Sequence, residues 1–158
     1  MTSRRAQLRR ARRGDAEAIT SLTLRSKRHW GYDEAFMATM TPALTCVPDD
    51  LLAGDQQVEV LEGSTGLLGF YRLRRLTELA FLEDLFVDPD AMGQGVGRQL
   101  FLRAASVARE WGAGVMEFES DPFAESFYLR LGAERVGMSP SQLLPGRSIP
   151  LMRYALLA

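Results

Sequence analysis

A strand-like segment that runs directly into a glycine-rich turn most constrains how this chain can fold. The segment covers residues 82–100 and reads LEDLFVDPDAMGQGVGRQL. Gly93, Gly95 and Gly97 lack a Cβ atom, so the backbone of the turn can adopt positive φ angles and approach a ligand closely. The amides of the turn and of the first helical residues lack main-chain partners, and the helix dipole favours anions. This arrangement predicts a binding site for a pyrophosphate.

Neither of two well-known phosphate loops fits this turn. A dinucleotide-binding fingerprint requires G-x-G-x-x-G and an acidic residue about 20 residues later. Here Gly97 comes one residue early, although Glu117 and Glu119 lie near the right distance. A P-loop requires a Lys-Ser/Thr pair after its last glycine, and Arg98 and Gln99 do not supply it.

Length and charge indicate one soluble domain. The chain has 158 residues and a net charge of -1, which argues against a general nucleic-acid or membrane partner. The arginine-rich start is either a solvated, frayed terminus or an RNA-binding arm. We expect a disordered basic terminus over 1–6 and a single folded domain over 7–158.

The chain contains one cysteine, Cys46, and one histidine, His29. These numbers exclude an intramolecular disulfide and argue against a metal-ligand cluster, so we expect no metal. The first residues lack the apolar run of a secretory signal, and no segment approaches the roughly 18 apolar residues of a membrane span. A cytoplasmic location is therefore the default expectation.

Periodicity and turn residues predict strand, helix, helix, three strands, helix, strand, helix, strand, strand. We expect Asp15 to cap the first helix, which runs to about Ser26, and Pro42 to end the second, which begins at Asp33. The order predicts an α/β or α+β single domain whose mixed, mainly antiparallel sheet has helices on both faces. The predicted strands are 7–13, 57–61, 67–73, 79–87, 115–119, 135–137 and 149–156, and the later helices are 97–111 and one from Asp121 to Gly132.

Two strings and their spacing of about 25 residues give the chain a specific resemblance to a known family. LEDLFVDPDAMGQGVGRQL and FESDPFAESFYLRLGAERVG together resemble the GNAT superfamily of acetyl-CoA-dependent N-acetyltransferases, over roughly residues 8–154. The family's R/Q-x-x-G-x-G/A loop matches residues 92–97, except that Met92 stands where the family has a polar side chain. The family holds the pyrophosphate chiefly through backbone amides, which Met92 still provides.

The resemblance implies a sheet that splays between its fourth and fifth strands and binds acetyl-CoA as a co-substrate. Backbone groups of Leu85, Phe86 and Val87 would pair with the pantetheine amides, although these side chains also suit simple core packing. A backbone N–H would stabilise the oxyanion of the acetyl carbonyl. The full set of residues that the resemblance implies for cofactor binding is Leu85, Phe86, Val87, Met92, Gly93, Gln94, Gly95, Val96, Gly97, Arg98, Asp121, Phe123, Ala124 and Phe127.

Two residues are candidates for proton transfer. Tyr128 lies in an F-Y-x-x-x-G string whose tyrosine is often the family's general acid, while the residue pattern alone is typical of a half-buried aromatic. Strand alternation places Glu83 and Asp84 on opposite faces, so only one can face the acceptor. The string Leu-Glu-Asp resembles that of polyamine acetyltransferases, which favours Glu83 as a water-mediated base. The alternative is a carboxylate that pairs with Arg72 or Arg74 across the strands.

The segment between the first two helices borders the acceptor pocket in GNAT folds. His29, Trp30 and Tyr32 could form the wall for a cationic amine. Alternatively, Trp30 plugs the core and His29 is simply exposed. In the tail, Arg147 is a candidate contact for an anionic acceptor or a neighbouring subunit.

The sequence therefore predicts direct transfer of the acetyl group of acetyl-CoA to a primary amine of a small molecule in a ternary complex. Cys46 lies outside the motifs, which argues against an acetyl-cysteine route. Two alternatives are a non-catalytic coenzyme A sensor and an acetyltransferase for charged tRNA or a protein terminus. The resemblance also implies a homodimer.

Overall fold

The computed structural model describes residues 5–141 and 144–156, and these contain seven strands and four α-helices in the predicted order. Short 3₁₀ turns lie at Arg13–Asp15, Pro48–Leu52, Pro89–Ala91 and Pro122–Ala124. The strands are β1 (Gln7–Arg10), β2 (Gln56–Gly63), β3 (Gly66–Arg75), β4 (Ala80–Val87), β5 (Val115–Glu119), β6 (Glu134–Pro140) and β7 (Ser148–Ala155). The helices are α1 (Ala16–His29), α2 (Glu34–Leu44), α3 (Val96–Glu110) and α4 (Glu125–Arg130).

The strands form one mixed sheet in the order β1-β2-β3-β4-β5-β7-β6. Every neighbouring pair is antiparallel except β4 and β5, which run parallel. This parallel pair joins only Ala80 to Met116 and Phe81 to Glu117. Beyond Phe81 the two strands separate, which confirms the predicted splay between the fourth and fifth strands.

Helices cover both faces of the sheet, as the amphipathic patterns predict. On one face, α3 buries Leu100, Phe101 and Ala104 against the sheet, together with Tyr128 of α4. On the other face, Ile19 and Leu22 of α1 belong to a second cluster that includes Val58, Val60 and Phe70. Each large apolar side chain buried in this way contributes about 1.5–3 kcal/mol to stability.

A β-bulge interrupts the pairing of β3 with β4. Leu73 pairs with Leu82 and Arg72 pairs with Asp84, so Glu83 is the extra residue in β4. A bulge bends the strand and disturbs the regular alternation of side chains. It lies at the point where β4 leaves β5, next to the gap in the sheet.

Pro42 does not end α2, contrary to the prediction, because the helix continues to Leu44. Proline removes one main-chain hydrogen bond, the one that residue 42 would donate to the carbonyl of Ala38. The Thr41 hydroxyl donates to the Met37 carbonyl at 2.6 Å, and the Thr45 hydroxyl to the Thr41 carbonyl at 2.8 Å. These bonds help the helix to tolerate the proline in its last turn.

Two other predicted boundaries near the amino terminus were wrong. Strand β1 ends at Arg10, since a 3₁₀ turn follows it. Asp15 lies at the N-cap position of α1, as predicted, but its carboxylate accepts from the Arg12 amide and the Arg9 guanidinium and not from an amide of the helix. Helix α1 passes Ser26 and ends at His29, before Gly31 with φ +89°.

Arg9 and Arg10 of the amino-terminal segment contact other side chains. Arg9 pairs with Asp15 at 2.8 Å and with Glu62 at 2.7 Å, and Arg10 donates to Gln57 at 2.9 Å. The predicted disorder falls mainly on residues 1–4, which lie outside the described residues. Within the described ranges, no helix has the length and apolarity that crossing a bilayer requires.

Candidate active site

A cleft of about 950 Å³ opens where β4 and β5 separate. Its walls come from β4, the glycine-rich turn, the first turn of α3, and α4 with the 3₁₀ turn before it. The predicted site residues that line it are Glu83, Leu85, Phe86, Val87, Met92, Gly93, Gly95, Val96, Gly97, Arg98, Asp121, Phe123, Ala124, Phe127, Tyr128 and Trp30. Gln94, His29 and Tyr32 are not among the residues that line the cleft.

The turn before α3 has the backbone geometry that an anion site requires. Gly93 has φ +80° and Gly95 has φ +83°, a region that costs a residue with a Cβ about 1–2 kcal/mol. Helix α3 begins at Val96, so the amides of its first turn have no acceptor within the helix. The Gln94 side chain donates to the Asp90 carbonyl at 3.3 Å. The turn therefore offers peptide N–H groups at the positive end of a 15-residue helix.

Gly97 serves a different purpose from the one predicted. It lies inside α3 and does not have a positive φ. A Cβ atom at this position would lie 3.0 Å from the ring of Phe127 and 3.5 Å from Val87. A Cβ atom would therefore crowd the Phe127 ring, and glycine lets the helix pack closely against the wall of the cleft.

One edge of β4 is available to a ligand along the cleft. Leu85, Phe86 and Val87 pair with β3 on one side, and the pairing of β4 with β5 on the other side stops at Phe81. Main-chain groups that face the gap therefore have no strand partner there. An extended molecule that carries amides can satisfy such groups, as a further strand would.

Tyr128 lies on α4 and is only 7% exposed, yet it lines the cleft. Its ring packs against Phe118 at 4.6 Å, Phe127 at 5.0 Å and Phe101 at 5.7 Å between centroids. Burial raises the pKa of the Tyr128 hydroxyl well above its usual value of 10, and the negative charges of Asp121 and Asp84 raise it further. The phenol is therefore protonated at neutral pH and can act as a proton donor.

Glu83 and Asp84 line the same cleft, so the prediction that they face opposite sides was wrong. The reason is the bulge at Glu83, which breaks the period of two in β4. Glu83 pairs with Arg74 at 2.9 Å, and Asp84 pairs with Arg72 at 3.1 Å. The cross-strand ion pairs considered as the alternative are therefore present, although they do not remove either carboxylate from the cleft.

Both carboxylates have pKa values raised above the ordinary range. Burial is the main cause for Glu83, and it outweighs the opposing charge of Arg74. Burial also raises the pKa of Asp84, against the opposing charges of Arg72 and Lys27. A carboxylate with a raised pKa is a better proton acceptor, as a general base requires.

A polar network joins three segments around the far end of the cleft. Asp121 accepts from Lys27 of α1 at 2.8 Å and from the Tyr32 hydroxyl at 2.7 Å. Arg147 donates to the same hydroxyl at 2.8 Å, and its guanidinium lies over the rings of Tyr32 and Phe36. Burial raises the pKa of Tyr32 to about 12, and the bond to Asp121 adds to this effect. The network therefore ties the end of α1 and the segment after it to the loop that follows β5 and to the segment before β7.

The aromatic residues between α1 and α2 divide between the cleft and its rim. Trp30 lines the cleft and stacks on Phe123 with ring centroids 5.8 Å apart. His29 packs edge-on against Trp30 at 5.3 Å. Tyr32 contributes indirectly, by holding Asp121 and Arg147.

Sequence reasoning missed several residues that line the cleft. Lys27 and Ser26 come from the last turns of α1. Met40, Ala43 and Leu44 come from α2, and the last two lie beyond the stop expected at Pro42. No motif marks these positions, since helix packing alone brings them to the site. The amphipathic pattern of α1, extended to Gly31, was the signal that could have included Lys27.

Comparison with known proteins identifies the family of this chain. A family model described as the acetyltransferase (GNAT) family matches residues 22–133. No curated protein sequence matches the chain significantly.

Solved structures of acetyltransferases share the fold. A GCN5-related N-acetyltransferase from Rhodopseudomonas palustris is 18% identical with a TM-score of 0.81, covering 98% of each chain. The PaiA N-acetyltransferase from Thermoplasma acidophilum, solved with coenzyme A, is 16% identical with a TM-score of 0.78, covering 96% of this chain and 99% of that one. Nourseothricin acetyltransferase is 29% identical with a TM-score of 0.62, covering 71% of this chain and 70% of its own.

The family match covers strands β2 to β5, the glycine-rich turn, α3 and the helix α4 that carries Tyr128. These elements include the walls of the cleft. The chain belongs to the GNAT acetyltransferase family.

Proposed function

We propose that this protein transfers the acetyl group of acetyl-CoA to a primary amine of a small molecule, by direct attack in a ternary complex. The observation that carries the proposal is the gap between β4 and β5. This gap runs from the unpaired edge of β4 to the glycine-rich turn. A co-substrate with two amides and a pyrophosphate matches both ends of that gap.

The residues of the cleft fit coenzyme A. The amides that follow Gly93 and Gly95 suit the pyrophosphate, and the edge of β4 at Leu85–Val87 suits the pantetheine amides. Arg98 at the start of α3 adds positive charge to the same end of the cleft. The similar PaiA structure contains coenzyme A, which supports this assignment.

Acetyl-CoA supplies the acetyl group as a thioester, and side chains of the protein accept and donate the protons. The attacking amine must be neutral, so its ammonium form loses one proton, which Glu83 accepts through water. When the C–N bond has formed and the C–S bond breaks, the thiolate gains a proton from the Tyr128 hydroxyl. The new amide nitrogen gives up its second proton, which returns to the Tyr128 oxygen, and the proton held by Glu83 leaves to solvent, so that both groups are restored. Burial raises the pKa of Glu83, which makes its carboxylate a stronger base, and the raised pKa of Tyr128 keeps its hydroxyl protonated until the thiolate forms.

A small acceptor is favoured over a protein terminus or tRNA. The contacts of Asp121 with Lys27 and Tyr32, and of Tyr32 with Arg147, join the end of α1 and the segment after it to the loop that follows β5 and to the segment before β7. Trp30 and Phe123 stack across the same rim. These contacts narrow the approach to Glu83 and Tyr128, which suits a compact amine.

The first test is calorimetric titration with coenzyme A, followed by release of thiol from acetyl-CoA across a panel of small primary amines. We expect saturable binding and amine-dependent thiol release, with the acetylated amine identified by mass spectrometry. Binding without transfer to any amine would support the sensor alternative and contradict the proposal. The absence of coenzyme A binding would contradict both.

A further inference from the structure

Arg147 lies directly before β7, and its side chain lines the cleft. Its Cζ atom lies 5.3 Å from the centroid of the Tyr32 ring and 5.2 Å from that of the Phe36 ring. Contacts with aromatic rings stabilise a cation and restrict the rotamers of its side chain. The Arg147 guanidinium is therefore held in position at the cleft before any acceptor binds.

The described residues use few of the hydrogen-bond donors of Arg147. One N–H group donates to the Tyr32 hydroxyl at 2.8 Å, and this hydroxyl in turn donates to Asp121 at 2.7 Å. The Tyr32 hydroxyl thus lies between the guanidinium and the Asp121 carboxylate. A guanidinium carries several N–H groups in a planar fork. Since Arg147 forms no ion pair with any described carboxylate, most of these donors remain for a ligand.

The positive charge of Arg147 is not balanced by the carboxylates that line the cleft with it. Three of these carboxylates have cationic partners of their own. The pairs are Asp121 with Lys27 at 2.8 Å, Glu83 with Arg74 at 2.9 Å and Asp84 with Arg72 at 3.1 Å. An anionic group of a ligand would therefore find complementary charge at Arg147.

A carboxylate in the opposite situation lies on the other strand of the gap. Glu119 is the last residue of β5 and lines the cleft. It accepts from the Ser139 hydroxyl at 2.7 Å and pairs with no described lysine or arginine. Burial is the main cause of the raised pKa of Glu83, and the charge of Glu119 adds to it, so the two carboxylates interact across the gap. A positively charged amine near them meets complementary charge.

The phosphates of coenzyme A have a different binding region. The glycine-rich turn that suits the pyrophosphate leads into α3, which covers the face of the sheet opposite to α1. Arg147 contacts Tyr32 and Phe36, which belong to the segment after α1 and to α2. The anion that Arg147 suits therefore belongs to the acceptor.

We propose that Arg147 binds an oxyanion of the acceptor, so that the substrate is an amine that also carries a carboxylate or a phosphate group. The reacting amine lies near Glu83 and Glu119, while the planar fork of Arg147 forms charge-assisted hydrogen bonds with the oxygens of the anion. This inference rests on the proposed function for the reaction at the amine. The unbalanced charge of Arg147 does not depend on it.

The test compares amines that differ only in the anionic group. Amino acids of increasing chain length are compared with their uncharged carboxamides and with the corresponding aminophosphonates. Thiol release from acetyl-CoA measures kcat/KM, and calorimetry measures binding to the protein saturated with coenzyme A. We expect the best anionic amine to exceed its carboxamide about tenfold, which corresponds to about 1.4 kcal/mol. The better of the two anions identifies a carboxylate or a phosphate as the group that Arg147 binds.

Substitution of Arg147 tests the origin of this preference. Arg147→Gln should reduce the ratio of kcat/KM between the anionic amine and its carboxamide about tenfold. Arg147→Lys keeps the charge without the planar fork and should give an intermediate ratio. The ratio does not respond to a partial loss of folded protein, and differences in the amine pKa cancel when the variants are compared with the wild type.

Arg153→Gln provides the matched control. Arg153 belongs to β7, pairs with Glu117 at 2.6 Å and does not line the cleft. Its substitution should leave the ratio at the wild-type value. Equal effects of Arg153→Gln and Arg147→Gln would show a general charge effect and overturn the inference.

The remaining outcomes separate this inference from the proposed function. Acetyl transfer with equal kcat/KM for the anionic amines and their carboxamides would overturn the inference alone. An unchanged ratio in Arg147→Gln would also overturn it, and a loss of coenzyme A affinity or of a dimer in that variant would then assign Arg147 to the cofactor or to a second subunit. Tighter binding of anionic amines that depends on Arg147, without acetyl transfer, would support the inference and contradict the proposed function. Failure of any amine to bind or react would overturn both.

Discussion

Replacing Tyr128 by phenylalanine separates its chemical role from its packing role. The ring keeps its contacts with Phe118, Phe127 and Phe101, since the substitution removes only the hydroxyl group. We expect the free energy of unfolding to change by about 1 kcal/mol or less. The affinity for coenzyme A should also stay close to that of the wild type, because the turn and the edge of β4 are untouched.

The size of the expected rate loss follows from the relative acidity of the Tyr128 hydroxyl and the thiol of coenzyme A. Positioned acids typically contribute about 10²- to 10⁴-fold. Burial raises the pKa of Tyr128 above 10, whereas an ordinary thiol has a pKa of about 8.5. Transfer of a proton from this phenol to the thiolate is therefore uphill, which places the effect at the low end. We predict that kcat falls about 100-fold, or about 2.7 kcal/mol.

The assay is steady-state thiol release with the best amine from the panel, together with calorimetry of coenzyme A binding. Tyr154→Phe is the control, because the Tyr154 ring packs on Phe101 at 5.0 Å but does not line the cleft. It should change kcat by less than about twofold. A Tyr128→Phe enzyme with kcat within about threefold of the wild type would refute the assignment of the acid.

Three further perturbations test other parts of the account. Glu83→Gln should lower kcat/KM about 100-fold. It should also remove the acid limb of the pH profile, where the rate falls as Glu83 gains a proton. Asp84→Asn should keep that limb, and the reverse result would exchange the roles of the two carboxylates. Gly95→Ala should weaken coenzyme A binding about tenfold in calorimetry, because a Cβ atom strains the turn at φ +83°. Gly112→Ala imposes similar strain at φ +85° away from the cleft and should leave the affinity unchanged. Although burial opposes it, the charged and hydrogen-bonded partners of Asp121 hold its pKa below the ordinary value, so the stabilising contribution of this carboxylate is lost as pH falls below about 4. Denaturant midpoints measured from pH 7 to pH 3 should therefore fall less for Asp121→Asn than for the wild type. Equal falls would show that Asp121 is not the source of the loss of stability.

The coenzyme A end of the site was predictable from the sequence because it depends on local chemistry. Gly93 and Gly95 are needed for a positive φ, and the helix begins at Val96 directly after them. Strand, turn and helix are contiguous, so one short segment contains most of the information. The order of the elements along the chain came from periodicity and turn residues, the splay of the sheet came from the family resemblance, and both were confirmed.

The acceptor end was less predictable because it depends on distant contacts and on one irregularity. The bulge at Glu83 has no signature in the string Leu-Glu-Asp, yet it brings both carboxylates to the cleft. Lys27 and Asp121 are 94 positions apart and meet only in the folded chain. Gly97 was assigned to the turn, whereas it lies within α3 and packs closely against Phe127.

A crystal structure of the protein with coenzyme A tests the central claim most directly. The account predicts the pantetheine chain between β4 and β5, bonded to the backbone of Leu85–Val87, with the pyrophosphate on the amides that follow Gly93 and Gly95 and the thiol facing Tyr128. Coenzyme A bound elsewhere on the molecule, or a gap between β4 and β5 closed by the protein's own residues in the complex, would contradict it.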